Sequence, residues 1–304
     1  LQSHFLDVHY ANTYDNNQEL KLGLQYKFNE NDNQAGTGIL PLLPDYRLFN
    51  TAAFVAFTST KGFWTYDLGG RYDFRQLKVL AISRDLPRRI ERHEHRFNNF
   101  ALAGGFQYKP SRFFTSKLNL GYTQRSPEVN ELYSSGLHQG VSGIEEGDST
   151  LRAEKAYKAI LTNTIHNGHR FILELSAYYQ LINDYIFLQP QEEFRLTIRG
   201  AFPVFTYQQT NAEIAGLDLM AKYEPVEQIE LLLKYALVRG RDRNNMLPLV
   251  YMPADNLFSS ASFTFPDLGK LVAPGLKLSA TYVFKQSRLE PVQDFLAPPD
   301  AYFL

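Results

Sequence analysis

Cysteine is absent from this 304-residue chain, which excludes a disulfide framework and any metal site built on thiolates. An excess of charge of one sign is also lacking: 31 Lys and Arg against 32 Asp and Glu give a formal net charge of -1. Such a balance provides no overall attraction for nucleic acid, and we predict no nucleic-acid partner. No apolar run is long enough for a transmembrane helix, although membrane-spanning strands would leave a weaker, alternating signal.

Catalytic motifs are missing as well. The sequence contains no GxSxG element and no phosphate-binding glycine loop, and its seven histidines have no cysteine to pair with. Polar loops bring Ser, His and Asp near one another along the chain, but no spacing orients them for nucleophilic or acid–base chemistry. We therefore predict that the chain is not an enzyme and needs no cofactor.

Alternation of apolar and polar residues is the main pattern that is present. In residues 18–28 the even positions are mostly Leu, Tyr and Phe and the odd positions are mostly charged or amide residues, and 274–284 repeats this arrangement. With 19 Tyr and 23 Phe, the composition also favours strands. Twelve strands are predicted, at about 2–12, 17–29, 46–60, 62–75, 95–109, 112–125, 151–166, 169–188, 203–224, 227–240, 256–266 and 274–287.

Strand length and loop asymmetry favour a membrane barrel over a soluble β protein. The predicted strands run to about 11–15 residues, whereas globular strands average five or six and about 9–11 tilted residues cross the hydrocarbon. Short turns at 60–62, 109–111, 167–168 and 225–226 alternate with long loops at about 29–45, 76–94, 126–150, 189–202, 241–255 and from 288 onward, the pattern of outer-membrane barrels. A soluble propeller or sandwich could alternate too, but each repeat here has two strands and no blade signature. We predict an all-β antiparallel transmembrane meander.

The stretch from Tyr122 to Glu154 has the most specific motifs. Residues 125–140 read RSPEVNELYSSGLHQG, EEGD follows at 145–148, LRAEK at 151–155, and FTYQQTNAEIAGLD occupies 205–218. This series resembles TonB-dependent outer-membrane receptors, which have similar RxP, ELY, GxH, ExGN/D and LxxEK blocks before a barrel strand. The branch that it resembles best includes zinc-uptake receptors.

The resemblance implies a barrel of about 22 strands closed around an N-terminal plug. Residues 1–304 would be a partial barrel domain of about twelve strands, roughly the eighth to the nineteenth, with the plug domain and the terminal strands absent from this chain. The implied location is the bacterial outer membrane, as a multi-pass protein in contact with lipid. The implied partners are TonB, reached through the plug region, and a metal chelate such as a ferric siderophore or a metal ion, as cargo and not as a cofactor. The alternative is a passive channel or structural outer-membrane barrel of about twelve strands.

The loop between Tyr122 and Glu154 provides the first candidate site. Its Gly, Ser, Asn, Glu and Asp residues are expected to be too polar to bury, and a connection of this length is usually either disordered or functional. His138, Glu146 and Asp148 are candidate metal ligands, and Arg125 and Glu131 are candidate ligand-binding residues. The competing interpretation is that the carboxylates are solvated and that Arg125 fixes the loop.

A second predicted loop, RDLPRRIERHEHR at 84–96, is rich in arginine and histidine. Arg88 and Arg89 suit an anionic chelate, because guanidinium groups form bidentate, charge-assisted bonds. His93 and His95 would project to the same side of an extended chain and, with Glu91, could hold a metal. A solvated loop tip is the competing interpretation of each residue taken singly.

Overall fold

The computed structural model describes residues 1–15, 17–34, 36, 41–83, 87–168, 170–267, 269–289 and 298–304. Nearly all secondary structure in this part of the chain belongs to one β-sheet, whose long strands run antiparallel to their neighbours. The strands are β1 (Gln2–Tyr14), β2 (Gln18–Asn31), β3 (Asp45–Lys61), β4 (Trp64–Ile82), β5 (Ile90–Ser111), β6 (Phe114–Arg125), β7 (Ser135–His138), β8 (Gly143–Glu146), β9 (Glu154–Asn167), β10 (Phe171–Thr197), β11 (Gly200–Val226), β12 (Ile229–Asp242), β13 (Asn256–Thr264), β14 (Gly275–Val283) and β15 (Tyr302–Phe303). One short helix, α1 (Val129–Tyr133), precedes β7. No helix among the described residues is long and apolar enough to cross a membrane.

The sheet is a meander. β1 to β6 pair in sequence order, β6 pairs with β9, and β9 to β15 again pair in order. The twelve predicted strands are confirmed and correspond to β1–β6 and β9–β14. The turns from β3 to β4, β5 to β6, β9 to β10 and β11 to β12 lie at one rim of the sheet, at or directly after the predicted short turns at 60–62, 109–111, 167–168 and 225–226. Residues 109–111 and 225–226 themselves end β5 and β11. The segment between β6 and β9 therefore lies at the opposite rim, here called the mouth.

Two of the predicted long loops are wrong. β4 continues to Ile82 and β5 begins at Ile90, so most of 76–94 is paired strand, while 84–86 lie outside the described residues. β10 and β11 have 27 residues each and turn directly between Thr197 and Gly200, which removes the predicted loop at 189–202. Residues 189–197 of β10 are rich in Gln, Glu and Arg, but such a segment can still pair as a strand, because the pairing joins backbone N–H and C=O groups.

The two faces of the sheet follow the predicted alternation. Leu48 of β3 pairs with Leu77 of β4, and both are buried on the inner face. On β2, Asn29 pairs with Leu48, which places Asn29 and the other odd-numbered residues on the inner face. The even-numbered residues, such as Leu22 and Leu24, therefore lie on the outer face, where both are exposed. The even-numbered apolar residues of β14, including Leu276 and Leu278, are likewise exposed.

The connection at 126–153, called the mouth segment below, folds against the inner face. Val129 and Leu132 of α1 share one core cluster with Leu77 of β4 and Ile186 of β10. Because β4 and β10 are four strands apart in the sheet order, the sheet must curve around the mouth segment to reach it from both sides.

The expectation that this segment is too polar to bury is wrong. Leu132 is 1% exposed, Ile144 3% and Ser134 0%, and the carboxylate residue Glu145 is buried with them. A few apolar side chains are enough to dock the segment because its buried charges are paired with neighbouring side chains. The β7–β8 hairpin then extends the sheet, since β8 pairs in parallel with Val204–Thr206 of β11 beyond the end of β12.

Candidate functional site

Arg75 of β4 makes the first anchor of the mouth segment. Its Nη1 and Nη2 donate to the two carboxylate oxygens of Glu128, each at 2.8 Å, and its side chain is only 11% exposed. Burial alone would raise the pKa of Glu128, but the hydrogen bonds and charge of Arg75 outweigh burial and lower the pKa below its usual 4.5. The Glu128 backbone N–H donates to Oε2 of Glu131 at 2.7 Å, which fixes the start of α1. One bidentate ion pair thus holds this helix on the inner face of the sheet, which is called the wall below.

Arg125, at the end of β6, makes the second anchor. Its Nε donates to Glu154 at 2.6 Å and its Nη1 donates to Glu131 at 2.9 Å, so one guanidinium joins both ends of the mouth segment. The other oxygen of Glu154 accepts the backbone N–H of Ile186 at 2.6 Å. Arg125 and Glu131 therefore have a structural task in this fold, and ligand contact by them stays a prediction.

His138, Glu146 and Asp148 do not converge on a common point. His138 contacts the buried Glu145 through Nδ1 at 2.6 Å, and Glu146 accepts a hydrogen bond from Arg195 of β10 at 2.6 Å. Asp148 accepts the backbone N–H two residues further on and thereby forms a turn. In the part of the chain that the structure describes, no three His, Cys, Asp or Glu residues are grouped as a metal site. The roles predicted for these residues stay predictions.

His93 and His95 lie in β5 and not in a loop, and both rings contact Tyr133, the last residue of α1. The Nε2 atom of His95 lies 2.5 Å from the Tyr133 hydroxyl, and the ring centroids of His93 and Tyr133 are 5.3 Å apart. On the other side of His93, Nε2 lies 3.3 Å from Oε2 of Glu91. Burial raises the pKa of Tyr133 to about 12, so its phenol is neutral at physiological pH. Tyr133 belongs to the ELY motif, but no local sequence pattern predicts its contact with these histidines.

Arg88 and Arg89 occupy the connection between β4 and β5 and are exposed. The backbone of Arg89 is fixed by Ser83, whose N–H donates to the Arg89 carbonyl at 2.8 Å and whose hydroxyl accepts the Arg89 N–H at 2.8 Å. Both arginines thus lie at the mouth rim, directly before the strand that contains His93 and His95. Their predicted contact with an anionic chelate stays a prediction.

A polar cavity of about 350 Å³ lies between the inner wall and the start of the mouth segment. Its lining includes Lys27, Asp73, Arg75 and Asn99, together with Ser126 from the mouth segment. Asn99 donates to the Ser126 hydroxyl, but Arg75 Nε and Asn99 Oδ1 are buried with no hydrogen-bond partner among the described residues. These atoms can still donate to and accept from a polar group in the cavity. Sequence reasoning missed this cavity, because its residues come from the five strands β2 to β6 and from the mouth segment.

Comparison with known proteins defines the class to which this curved sheet, with the mouth segment folded against its inner face, belongs. Residues 2–304 match the family model described as TonB dependent receptor-like, beta-barrel. The chain belongs to this family, and the resemblance inferred from its motifs is confirmed. None of the curated proteins compared with the chain matches it in sequence.

Solved structures of receptors and transporters share this fold. The chain is similar to the copper transporter OprC, with a TM-score of 0.78 and 16% identity over 99% of this chain and 48% of that one. It is similar to the FrpB iron transporter from Neisseria meningitidis (F3-3 variant), with a TM-score of 0.67, 15% identity, and coverage of 99% and 46%. For the ferric yersiniabactin uptake receptor FyuA from Yersinia pestis the values are 0.67, 12%, 99% and 45%. The chain spans about half the length of these proteins, and identities this low show the fold alone.

Proposed function

We propose that this chain is the barrel part of a multi-pass receptor of the bacterial outer membrane. The receptor captures a metal chelate, such as a ferric siderophore, or a metal ion, and TonB energises its uptake. It acts as a transporter and not as an enzyme. The outer face, with exposed residues such as Leu24 and Leu278, contacts lipid, and the plug region through which TonB acts lies outside these 304 residues.

One observation carries the proposal: a folded segment is tied across the inner face of a sheet that belongs to the receptor family. The mouth segment is held by Arg75 and Arg125 and covered by Leu77 and Ile186 on the wall strands. A receptor gains from such an ordered segment, because pre-organised side chains lose less entropy when a ligand binds.

The chemistry of the mouth agrees with a metal-containing cargo. Arg88 and Arg89 offer cationic groups at the rim, and His93 and His95 offer imidazoles on the inner face. The first pair suits an anionic ferric chelate and the second suits a borderline metal ion. The similar solved structures include a copper transporter, an iron transporter and a ferric yersiniabactin receptor, and they support the same cargo class.

Accumulation of labelled cargo by intact cells tests the proposal. Cells that lack their own copy of the gene would express the full-length protein, with and without a functional TonB, and would be given radioactive zinc or a panel of radioactive ferric chelates. We expect accumulation of at least one cargo only when both the protein and TonB are present. Equal accumulation without TonB, scaling linearly with external concentration, would instead identify a passive channel and overturn the proposal.

A further inference from the structure

We propose that His93, His95 and Tyr133, with Glu91 beside them, form a binding site for a divalent transition-metal ion of the Zn²⁺ and Cu²⁺ type. The site lies between strand β5 of the wall and helix α1 of the mouth segment. This inference rests on the proposed function and deepens it, since it assigns capture of an uncomplexed metal ion to named side chains.

The two-residue repeat of a strand places three of these side chains on one face. Glu91, His93 and His95 alternate along β5, and His93 and His95 pair with Val79 and Leu77 of the buried inner face of β4. All three side chains therefore point towards the mouth segment and away from the outer face. Tyr133 arrives from α1, 38 residues later than His95, and completes the group.

The four side chains form a continuous row of contacts. The Glu91 carboxylate is 3.3 Å from His93, the His93 ring lies 5.3 Å from the Tyr133 ring, and the Tyr133 hydroxyl is 2.5 Å from His95. Phe97 stacks on His95, with ring centroids 5.9 Å apart and planes only 2° from parallel. This stacking and the docking of α1 hold the rings before any ion arrives, as a site with well-placed ligands requires.

Two of the donor–donor distances in this group are near those of a tetrahedral site. Around an ion with ligand bonds of about 2.0 Å, neighbouring donors lie roughly 3.3 Å apart. The contact between Glu91 and His93 already has this length, and the contact between Tyr133 and His95 needs to open by less than about 1 Å. Among the described residues no three His, Cys, Asp or Glu residues are grouped as a metal site, so the set needs the phenol oxygen that lies beside His95. The phenol oxygen is therefore the third donor.

The donor set selects the class of ion. Two imidazoles with carboxylate or phenol oxygens suit Zn²⁺ and Cu²⁺, whereas Mg²⁺ and Ca²⁺ prefer oxygen ligands alone. Binding forms a metal–nitrogen bond to each neutral imidazole in exchange for waters bound to the ion, which return to solvent, and it breaks the hydrogen bond between Tyr133 and His95. If the Tyr133 oxygen ligates as phenolate, its proton leaves to solvent, as metal binding to protonated ligands requires.

Calorimetry on the full-length protein in detergent, with ZnCl₂ and CuCl₂ as probes, tests the site. His93→Ala combined with His95→Ala should weaken the tightest binding event by at least about 100-fold, since loss of a second-layer partner alone costs about 10–100-fold. Tyr133→Phe keeps the ring packing and removes the oxygen, and should weaken binding by about tenfold. The matched control is His4→Ala combined with His9→Ala, because both residues are exposed histidines on β1, and it should change nothing.

Circular dichroism and heat-dependent mobility in gels would confirm that each variant is folded. Absence of Zn²⁺ and Cu²⁺ binding by the parent protein, or unchanged affinity in the folded His93→Ala/His95→Ala variant, overturns the site. Unchanged affinity in Tyr133→Phe overturns the assignment of the third donor. The receptor proposal is tested separately. TonB-dependent accumulation of a ferric chelate, without Zn²⁺ or Cu²⁺ binding at this site, would support the receptor proposal and overturn the metal site. Metal binding at this site, without TonB-dependent accumulation of any cargo, would support the metal site and overturn the receptor proposal.

Discussion

Replacing Glu128 by Gln should loosen the mouth segment without unfolding the sheet. The substitution keeps the shape of the side chain but removes its charge and one of the two oxygens that accept bonds from Arg75. Hydrogen bonds to charged groups contribute about 1.5–3 kcal/mol each. Because the Glu128 side chain is 50% exposed, solvent screens the pair and the lower end, about 1.5 kcal/mol, applies.

Hydrogen exchange of the mouth segment measures this loss directly. The amides of Leu132, Ser134, Gly147 and Asp148 donate within the segment to backbone carbonyls, so they exchange only when the segment opens. A loss of about 1.5 kcal/mol corresponds to exchange that is roughly ten times faster at these amides. Amides in the paired strands β10 and β11 should keep their rates.

The matched control is Glu94→Gln. Glu94 also accepts two side-chain hydrogen bonds, from Gln76 and Arg96 at 2.7 Å each, but on an exposed face away from the mouth segment. Its exchange pattern should equal that of the parent protein. If Glu128→Gln leaves exchange within about twofold of the parent, the bond from Arg75 does not hold the segment and the argument from ion-pair anchoring is refuted.

Three further predictions concern the same segment. Because Arg75 holds the pKa of Glu128 below 4.5, their stabilising pair is complete above about pH 4.5 and is lost as the pH falls through the lower pKa of the folded state. Exchange rates, corrected for the direct effect of pH on exchange, should therefore rise on acidification in the parent protein but much less in Glu128→Gln. Leu132→Ala, at a side chain that is 1% exposed, should cost about 2–5 kcal/mol of segment stability in the same exchange assay, whereas Val141→Ala, at 55% exposed, should stay within about 0.5 kcal/mol; equal effects would contradict the packing assigned to α1. Gly147→Ala places a Cβ 2.4 Å from the Tyr133 backbone nitrogen and should expose the segment to protease, whereas Gly140→Ala meets no atom closer than 3.6 Å and should leave it resistant; cleavage of both variants or of neither would count against this close approach.

The fold was largely predictable from the sequence. In β2, the alternation from Leu20 to Phe28 directly identifies the strand and its outer face, because a two-residue period is the signature of a strand with unlike faces. The extensions of β10 and β11 were not predictable in this way. Residues 189–197 of β10 include two Gln, two Glu and one Arg, and this polar composition resembles that of a loop, although Gln189, Pro190 and Phe194–Thr197 pair with β11.

The candidate site was only partly predictable, and the reason is distance along the chain. That His93 and His95 share a side follows from strand periodicity alone, once β5 is recognised. Their contact with Tyr133, and the bond from Arg75 to a carboxylate 53 residues later, depend on how the mouth segment folds back over the wall. No local pattern encodes such contacts.

Labelling of single cysteines in intact cells tests the central claim, that the mouth opens to the outside of an outer membrane. The chain has no native cysteine, so each introduced thiol is unique within these 304 residues. Ser135→Cys lies in the mouth segment and Ser111→Cys lies at the opposite rim, and both positions are exposed. An impermeant maleimide should label Ser135→Cys in intact cells and Ser111→Cys only after the outer membrane is permeabilised. Labelling of Ser111→Cys but not Ser135→Cys in intact cells would invert the orientation and contradict capture from outside.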